Sequence, residues 1–214
     1  MTNLSAAYLN SNRSDSKIIH PTPDSLTILI NKTFSLPKDY VPSDLIIPNI
    51  PFSFTNYSEK KWMRKEAAIA LETLFKAASE SKLTLFGVSG YRSYARQLTL
   101  YNQSLEKNGY EHASQYSAMP GHSEHQSGLA MDVSTISIHN RLDVVFRATP
   151  EGRWLAKNSW KYGYIIRYPE DKSHITGYAY EPWHIRYVGT DLAKKLTLKN
   201  LTLEEYYNYQ LVSL

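Results

Sequence analysis

Two stretches of the chain carry side chains that could together hold a catalytic metal ion. Residues 123–134 are Ser-Glu-His-Gln-Ser-Gly-Leu-Ala-Met-Asp-Val-Ser, and residues 181–184 are Glu-Pro-Trp-His. A catalytic zinc ion takes three nitrogen or oxygen ligands from the protein and keeps a further position for water. We expect His125, Asp132 and His184 to be those three ligands. No His-Glu-x-x-His helix is present, so the prediction depends on this pair of stretches.

Two further residues have positions that suit hydrolysis. Glu181 comes three residues before His184, and Pro182 between them restricts the backbone. We expect Glu181 to be the general base that takes a proton from the attacking water. Arg92 follows a Ser-Gly-Tyr turn at the end of a predicted strand, and a guanidinium group can bind a carboxylate through two hydrogen bonds. Arg92 is therefore a candidate for binding a carboxylate of the substrate.

The seven histidines leave one alternative ligand open. In Gly-His-Ser-Glu-His, residues 121–125, either His122 or His125 could face a metal ion. The distance along the chain to Gly128 and Asp132 favours His125. The other histidines have no carboxylate at a suitable spacing, and we expect no metal binding from His20, His112, His139 and His174.

Local sequence patterns indicate how these residues are positioned. Gly128 permits a sharp turn after His125, and residues 128–134 alternate so that Ala130 and Asp132 share one face of a strand. A second strand, residues 183–188, must bring the distant His184. The remaining patterns predict a proline-rich extended segment at 26–57, helices at 62–79, 94–107 and 151–162, a loop at 111–122, and strands at 83–89 and 164–168. Two terminal helices follow, the first capped by Thr190 and the second by a capping box of Thr202 and Glu205.

This order of elements predicts an α+β fold with a mainly antiparallel central sheet flanked by helices. Residues 1–25 are rich in Ser, Asn and Thr and predict a flexible linker, and residues 26–214 are expected to form one domain. The chain has 214 residues and 42% hydrophobic residues, which is enough for one sizeable core.

Composition also excludes several classes of protein. The net charge of +4 is small and its lysines and arginines are scattered, so we expect no nucleic-acid partner. No apolar run is long enough to span a bilayer, and the first residues do not have the pattern of a signal peptide. The absence of cysteine excludes disulfide bonds and thiolate ligands to zinc.

Three longer motifs contain the candidate site residues. They are Ser-Gly-Tyr-Arg-Ser at 89–93, Pro-Gly-His-Ser-Glu-His-Gln-Ser-Gly-Leu-Ala-Met-Asp at 120–132, and Gly-Tyr-Ala-Tyr-Glu-Pro-Trp-His-Ile-Arg-Tyr-Val-Gly at 177–189. Together they resemble the VanY and LD-carboxypeptidase B group of bacterial metallopeptidases. The resemblance extends from about residue 29 to residue 189 and implies the zinc D-Ala-D-Ala peptidase fold. Tyr91 and Ser127 stand where phenylalanine and threonine are frequent in the group, and both changes are conservative.

The resemblance implies a zinc carboxypeptidase that removes the C-terminal D-alanine from peptidoglycan stem peptides. It matches His125, Asp132 and His184 to the zinc ligands, Glu181 to the catalytic base and Arg92 to the substrate-binding arginine. It also places three residues near the bound peptide, namely Gln97, Ser123 and Ser127. The LD-carboxypeptidase B side of the resemblance favours L,D-cleavage of a tetrapeptide over D,D-cleavage of a pentapeptide.

Two other functions remain open at this stage. A peptidoglycan endopeptidase would need a cleft that is open at both ends. A non-catalytic module that binds the wall and keeps zinc for structure alone would have no use for Glu181 beside an open metal position. For the favoured function we expect an extracellular, cell-envelope location, a peptidoglycan partner, no membrane span within the chain, and a monomer.

Overall fold

The structure is a computed structural model that describes Ile18–Ile19 and residues 22–207, with the side chains of residues 18, 19, 114 and 115 excluded. Most of the predicted linker, residues 1–25, lies outside the described residues. Within it, Ile18–Ile19 forms strand β1, which pairs in parallel with β2 (Phe34–Ser35). The division of the chain into a linker and one domain, 26–214, stays a prediction.

An antiparallel sheet lies at the centre of the fold. Within the described residues it has four strands in the order β5–β6–β8–β7. The predicted α+β class with a mainly antiparallel sheet is confirmed. The strands of the central sheet are β5 (Phe86–Ser89), β6 (Ala130–Ser134), β7 (Tyr164–Ile166) and β8 (His184–Tyr187). A separate antiparallel pair joins β3 (Leu45–Ile46) to β4 (Met63–Arg64).

Within the described residues, the α-helices are α1 (Lys65–Glu80), α2 (Tyr94–Tyr116), α3 (Pro150–Asn158), α4 (Ser173–Thr176), α5 (Thr190–Leu198) and α6 (Leu203–Tyr206). Five of them lie close to the positions expected from the sequence, and α4 was not predicted. The predicted capping box of Thr202 and Glu205 is present at the start of α6. Among the described residues, no helix combines the length and the apolar character that crossing a bilayer would require.

Helix α2 is longer than its sequence pattern predicts. We expected the helix to stop near Gly109 and a loop to begin at Glu111. Gly109 does leave the helical conformation, with φ of 78°, but helical backbone resumes and continues to Tyr116. Ala113 in this second part is fully buried, and such burial can stabilise a turn of helix that propensity alone would not predict.

The core lies between α1 and one face of the sheet. Helix α1 buries its apolar stripe, which includes Leu71 and Leu74, in the same cluster as Leu129, Met131 and Val133 of the β6 region. These three side chains point to the core, so Asp132 between them points to the opposite face of the strand. The apolar pattern of β6 therefore fixes the direction of the polar side chain that it carries.

The segment 26–57 contains no helix, as its prolines predict, but it consists of the short strands β2 and β3 joined by turns and is not extended throughout. It buries only part of its apolar side chains. Ile28 and Ile30 are buried, whereas Val41 and Ile47 are largely exposed. The buried part lies where the segment packs on the sheet and α1 cluster.

Gly128 provides a test of the turn that leads into β6. It has φ of 67°, and a Cβ atom there would lie 2.9 Å from Leu45 Cδ2 and 3.2 Å from the Arg64 nitrogen. Gly128→Ala should lower the free energy of unfolding through a backbone cost of about 1–2 kcal/mol and a packing cost of about 1–3 kcal/mol. Urea denaturation would measure the loss.

Leu45→Ala provides the control for this substitution, because it removes the Cδ2 atom that the new Cβ atom would meet at 2.9 Å. Gly128→Ala should therefore lower the free energy of unfolding less in the Leu45→Ala background than in the parent, since the backbone cost remains and much of the packing cost is lost. Equal losses in the two backgrounds would contradict the proposed close packing around Gly128.

Candidate active site

His125 lies in a 3₁₀ turn, Glu124–Ser127, that ends at Gly128. Its Nδ1 atom donates to the Gly90 carbonyl oxygen at 2.8 Å, which places the Nε2 atom 3.3 Å from Asp132 Oδ2. The Arg92 backbone N–H donates to the His125 carbonyl at 3.2 Å. The turn before β6 and the end of β5 therefore fix this imidazole together.

Strand pairing brings the other two expected ligands to the same place. Asp132 in β6 is the register partner of His184 in β8, although 52 residues separate them. The Nδ1 atom of His184 lies 2.9 Å from Asp132 Oδ1. One ligand atom from each of His125, Asp132 and His184 lies within 4.8 Å of the others, and all three residues are buried. Among the described residues, His125, Asp132 and His184 form the one group of at least three His, Cys, Asp or Glu side chains placed closely enough to hold a metal ion.

The charges in this group are strongly coupled. Burial raises the pKa of Asp132, but the two imidazoles outweigh burial and hold that pKa well below its usual range. Burial lowers the pKa of His125, and the Arg92 charge lowers it further. Burial also lowers the pKa of His184, but hydrogen bonds with Asp132 and Glu124 outweigh it and raise the pKa to about 9. A protonated His184 therefore offsets the negative charge of Asp132 at neutral pH.

Glu181 and Arg92 lie on the same cleft as this group. Glu181 Oε2 is 3.9 Å from His184 Nδ1, and burial together with the Asp132 charge raises the pKa of Glu181 to about 7. Arg92 Nη2 lies 4.0 Å from Asp132 Oδ2 and donates to Ser89 Oγ at 3.2 Å. The cleft has a volume of about 650 Å³, and both side chains line it.

The three residues expected near a bound peptide have different positions. Ser123 lines the cleft. Gln97 is buried, accepts a hydrogen bond from Arg92 Nη1 at 2.8 Å and donates one to the Ala118 carbonyl oxygen. It therefore fixes the orientation of the Arg92 guanidinium group. Ser127 is buried and donates to the Glu124 carbonyl within its own turn. Gln97 and Ser127 are thus occupied by partners within the protein, and their predicted contact with peptide stays a prediction.

His122, the alternative ligand, faces away from this group. Its Nδ1 atom lies 2.7 Å from the Asn31 carbonyl oxygen, and the ring is buried beside the 26–57 segment. The geometry therefore assembles His125, and not His122, with Asp132 and His184.

Sequence reasoning missed the residues that surround the ligands. Glu124 is fully buried and lies 3.4 Å from His184 Nε2. Arg167 and Arg186 contact Glu124 at 2.7 and 2.6 Å, and the Tyr168 ring stacks on His184 with centroids 5.0 Å apart. One signal was available, because Arg186 interrupts a strand that is otherwise apolar or ligand-bearing, and a buried arginine requires a charged partner.

Comparison with known sequences identifies relatives that share most of this chain. The VanY family profile, described as D-alanyl-D-alanine carboxypeptidase, matches residues 60–190. YodJ of Bacillus subtilis (strain 168) is 48% identical over 185 residues, which cover 86% of this chain and 68% of YodJ. A D-alanyl-D-alanine carboxypeptidase of Enterococcus faecium is 37% identical over 187 residues, which cover 85% of this chain but only 57% of the relative.

Solved structures show the same fold. The LdcB LD-carboxypeptidase, whose structure is described as revealing the basis of peptidoglycan recognition, has a TM-score of 0.87 and 45% identity and covers 94% of both chains. VanYB in complex with D-alanine-D-alanine has a TM-score of 0.70 and 34% identity and covers 85% of this chain and 97% of its own.

A glutamate-to-alanine mutant of the D,D-pentapeptidase VanY, solved with Zn(II), has a TM-score of 0.69 and 34% identity over 86% of this chain and 98% of its own. The predicted likeness to the VanY and LdcB peptidase fold is thereby confirmed. The chain belongs to the VanY family of carboxypeptidases.

Proposed function

We propose that this protein is a zinc-dependent carboxypeptidase that removes the C-terminal D-alanine from peptidoglycan stem peptides in the cell envelope. The observation that carries the proposal is one cleft shared by three components: a buried His125–Asp132–His184 group, the Glu181 carboxylate and the Arg92 guanidinium. Metal-dependent cleavage at a free carboxyl end uses a metal site, a base and a cation that binds the terminal carboxylate.

The donor atoms suit zinc. Two imidazole nitrogens and one carboxylate oxygen are a ligand set that catalytic zinc sites use. His125 Nδ1 donates a hydrogen bond to the Gly90 carbonyl oxygen, so the Nε2 atom of the same ring is the one available to the ion. When bound, zinc would polarise the scissile carbonyl and lower the pKa of water.

The remaining chemistry belongs to the side chains of the cleft. Glu181, with a pKa of about 7, can accept a proton from the attacking water and return it to the leaving amine of D-alanine. Arg92 keeps its fork in place through Gln97 and Ser89, and it can bind the terminal carboxylate of the peptide. Arg92 and Glu181 line the same cleft, so a peptide whose terminal carboxylate binds Arg92 would place its scissile bond in the cleft that Glu181 shares.

Similarity favours L,D-cleavage of a tetrapeptide. The chain is closer in both sequence and structure to the LdcB LD-carboxypeptidase than to VanYB. This greater similarity to LdcB favours a substrate in which a single terminal D-alanine follows a residue with an L-configured centre.

Incubation with defined muropeptides would test the reaction. The zinc-loaded protein should remove one alanine from a tetrapeptide faster than from a pentapeptide and should leave a cross-linked dimer uncut at its bridge. Mass spectrometry of the products would measure each rate. Cleavage of the bridge would favour an endopeptidase, and no cleavage of any substrate would contradict the proposed function.

Glu181→Gln tests the base separately from the metal. The amide cannot accept the proton of the attacking water, so turnover of the preferred peptide should fall by about 10²–10⁴-fold, whereas zinc content should stay at the parent value. His184→Ala should lose both zinc and turnover. Glu170→Gln is the control, because Glu170 is half exposed and pairs with Arg147 outside the cleft. Parent-like turnover in Glu181→Gln would make the assignment of the base wrong.

Zinc binding should depend on pH in a defined direction. The pKa of His184 is about 9 without metal, so at pH 7 the ring carries a proton on each nitrogen. An ion that binds Nδ1 must displace one of them, and the apparent zinc affinity should rise about tenfold per pH unit between pH 6 and pH 9. Competition with a chelator, corrected for the chelator's own protonation, would measure it. An affinity that does not change over this range would contradict the assignment.

A further inference from the structure

A cluster of buried charges lies directly behind the candidate metal ligands. Glu124 divides its two carboxylate oxygens between different partners. Oε1 accepts from Arg167 Nε at 2.7 Å and from Arg186 Nη1 at 2.6 Å, whereas Oε2 lies 3.4 Å from His184 Nε2. The side chains of Glu124 and both arginines have no exposed surface.

The cluster continues to the last helix and to the early part of the chain. Arg167 forms a two-pronged contact with Glu204 of α6, with Nη1 to Oε2 at 2.9 Å and Nη2 to Oε1 at 2.7 Å. Asn31 Nδ2 donates to Glu204 at 3.3 Å. Arg186 Nη2 donates to the Ile28 carbonyl at 2.8 Å. Segments that are far apart in sequence thus meet behind His184.

Stability alone does not explain this arrangement. Apolar side chains of similar volume often stabilise a core as well as buried ion pairs do. Two glutamates and two arginines here balance each other in charge, yet one carboxylate oxygen is still directed at an imidazole that faces the metal group. Glu124 Oε2 is an acceptor that keeps the His184 ring proton on Nε2 and leaves Nδ1 free to bind an ion. Hydrogen bonds of this kind orient the histidine ligands of metal sites.

We propose that Glu124 is a positioning residue of the metal centre, and that Glu204 supports it through Arg167, so that helix α6 takes part in metal binding. The inference rests on the proposed function in one respect, namely that His125, Asp132 and His184 bind zinc. Glu204 lies outside the cleft and does not contact the metal ligands, and the proposal is that it affects zinc affinity through Arg167 and Glu124.

Three substitutions of the same chemical kind test this inference. Glu124→Gln offers one acceptor oxygen instead of two, so either the arginines or His184 loses its partner. Glu204→Gln weakens the two-pronged contact with Arg167. Glu205→Gln is the matched control on the same helix, because Glu205 pairs with Lys172 at the surface and glutamine can keep the capping contact with Thr202.

Zinc affinity by chelator competition should fall about 10–100-fold in Glu124→Gln, fall less in Glu204→Gln and stay unchanged in Glu205→Gln. The visible spectrum of the Co²⁺-loaded protein should change in the same order, which a loss of global stability would not cause in a protein that is still folded. Circular dichroism of each metal-free variant would establish that it is folded.

Parent-like zinc affinity and Co²⁺ spectrum in a folded Glu124→Gln would overturn the proposal. If that variant does not fold, Glu204→Gln decides, and its parent-like affinity would overturn the role of α6. NMR of the zinc-loaded parent, labelled at histidine, needs no variant: a His184 proton on Nε2 supports the proposal, and a proton on Nδ1 overturns it. A parent protein that binds no zinc would instead contradict the proposed function.

Discussion

The pairing of Asp132 with His184 across β6 and β8 is the constraint on which the site depends. The two residues are distant in sequence, and only the register of these antiparallel strands makes them neighbours. A slip of one residue would move Asp132 into the core and Met131 into the cleft, because side chains alternate between the faces of a strand. Burial of Leu129, Met131 and Val133 against α1 opposes that slip, so the hydrophobic core selects the geometry of the polar site.

The site also concentrates charge where water is scarce. Asp132, Glu124 and Glu181 lie within one small region with Arg92, Arg167 and Arg186 around them. The same burial has opposite results for two carboxyl groups. Arginines in direct contact keep Glu124 ionised, whereas Glu181 lies 3.9 Å from His184 Nδ1 and burial outweighs that contact, so its pKa is raised to about 7. One carboxylate is therefore suited to hold its neighbours in place and the other to exchange a proton.

Much of this arrangement could be predicted from the sequence, and the limits have physical causes. Alternation in 128–134 and the turn at Gly128 predicted β6 and the direction of Asp132, and Thr202 with Glu205 predicted the start of α6, because these are local effects. The continuation of α2 past Gly109 could not be predicted, since glycine is a common helix stop and the burial of Ala113 beyond it is a property of the folded chain. Thr190 was wrongly expected to cap α5, because Gly189 takes that position with a positive φ.

The partners of Glu124 show the same limit within the site. The spacing of residues along the sequence indicates which side chains can bind an ion. It carries no information on which other side chains form hydrogen bonds with those ligands and orient them. The contacts between Glu124, Arg167 and Glu204 join three regions of the chain, and only the folded structure brings them together.

The hydrogen bonds that link Asp132 to both imidazoles have a consequence for any cation that enters this group. With a pKa of about 9, His184 carries a positive charge at neutral pH and offsets the charge of Asp132. An incoming cation would therefore replace one positive charge by another in a group whose geometry the sheet already sets, unlike the coupled folding of small zinc modules.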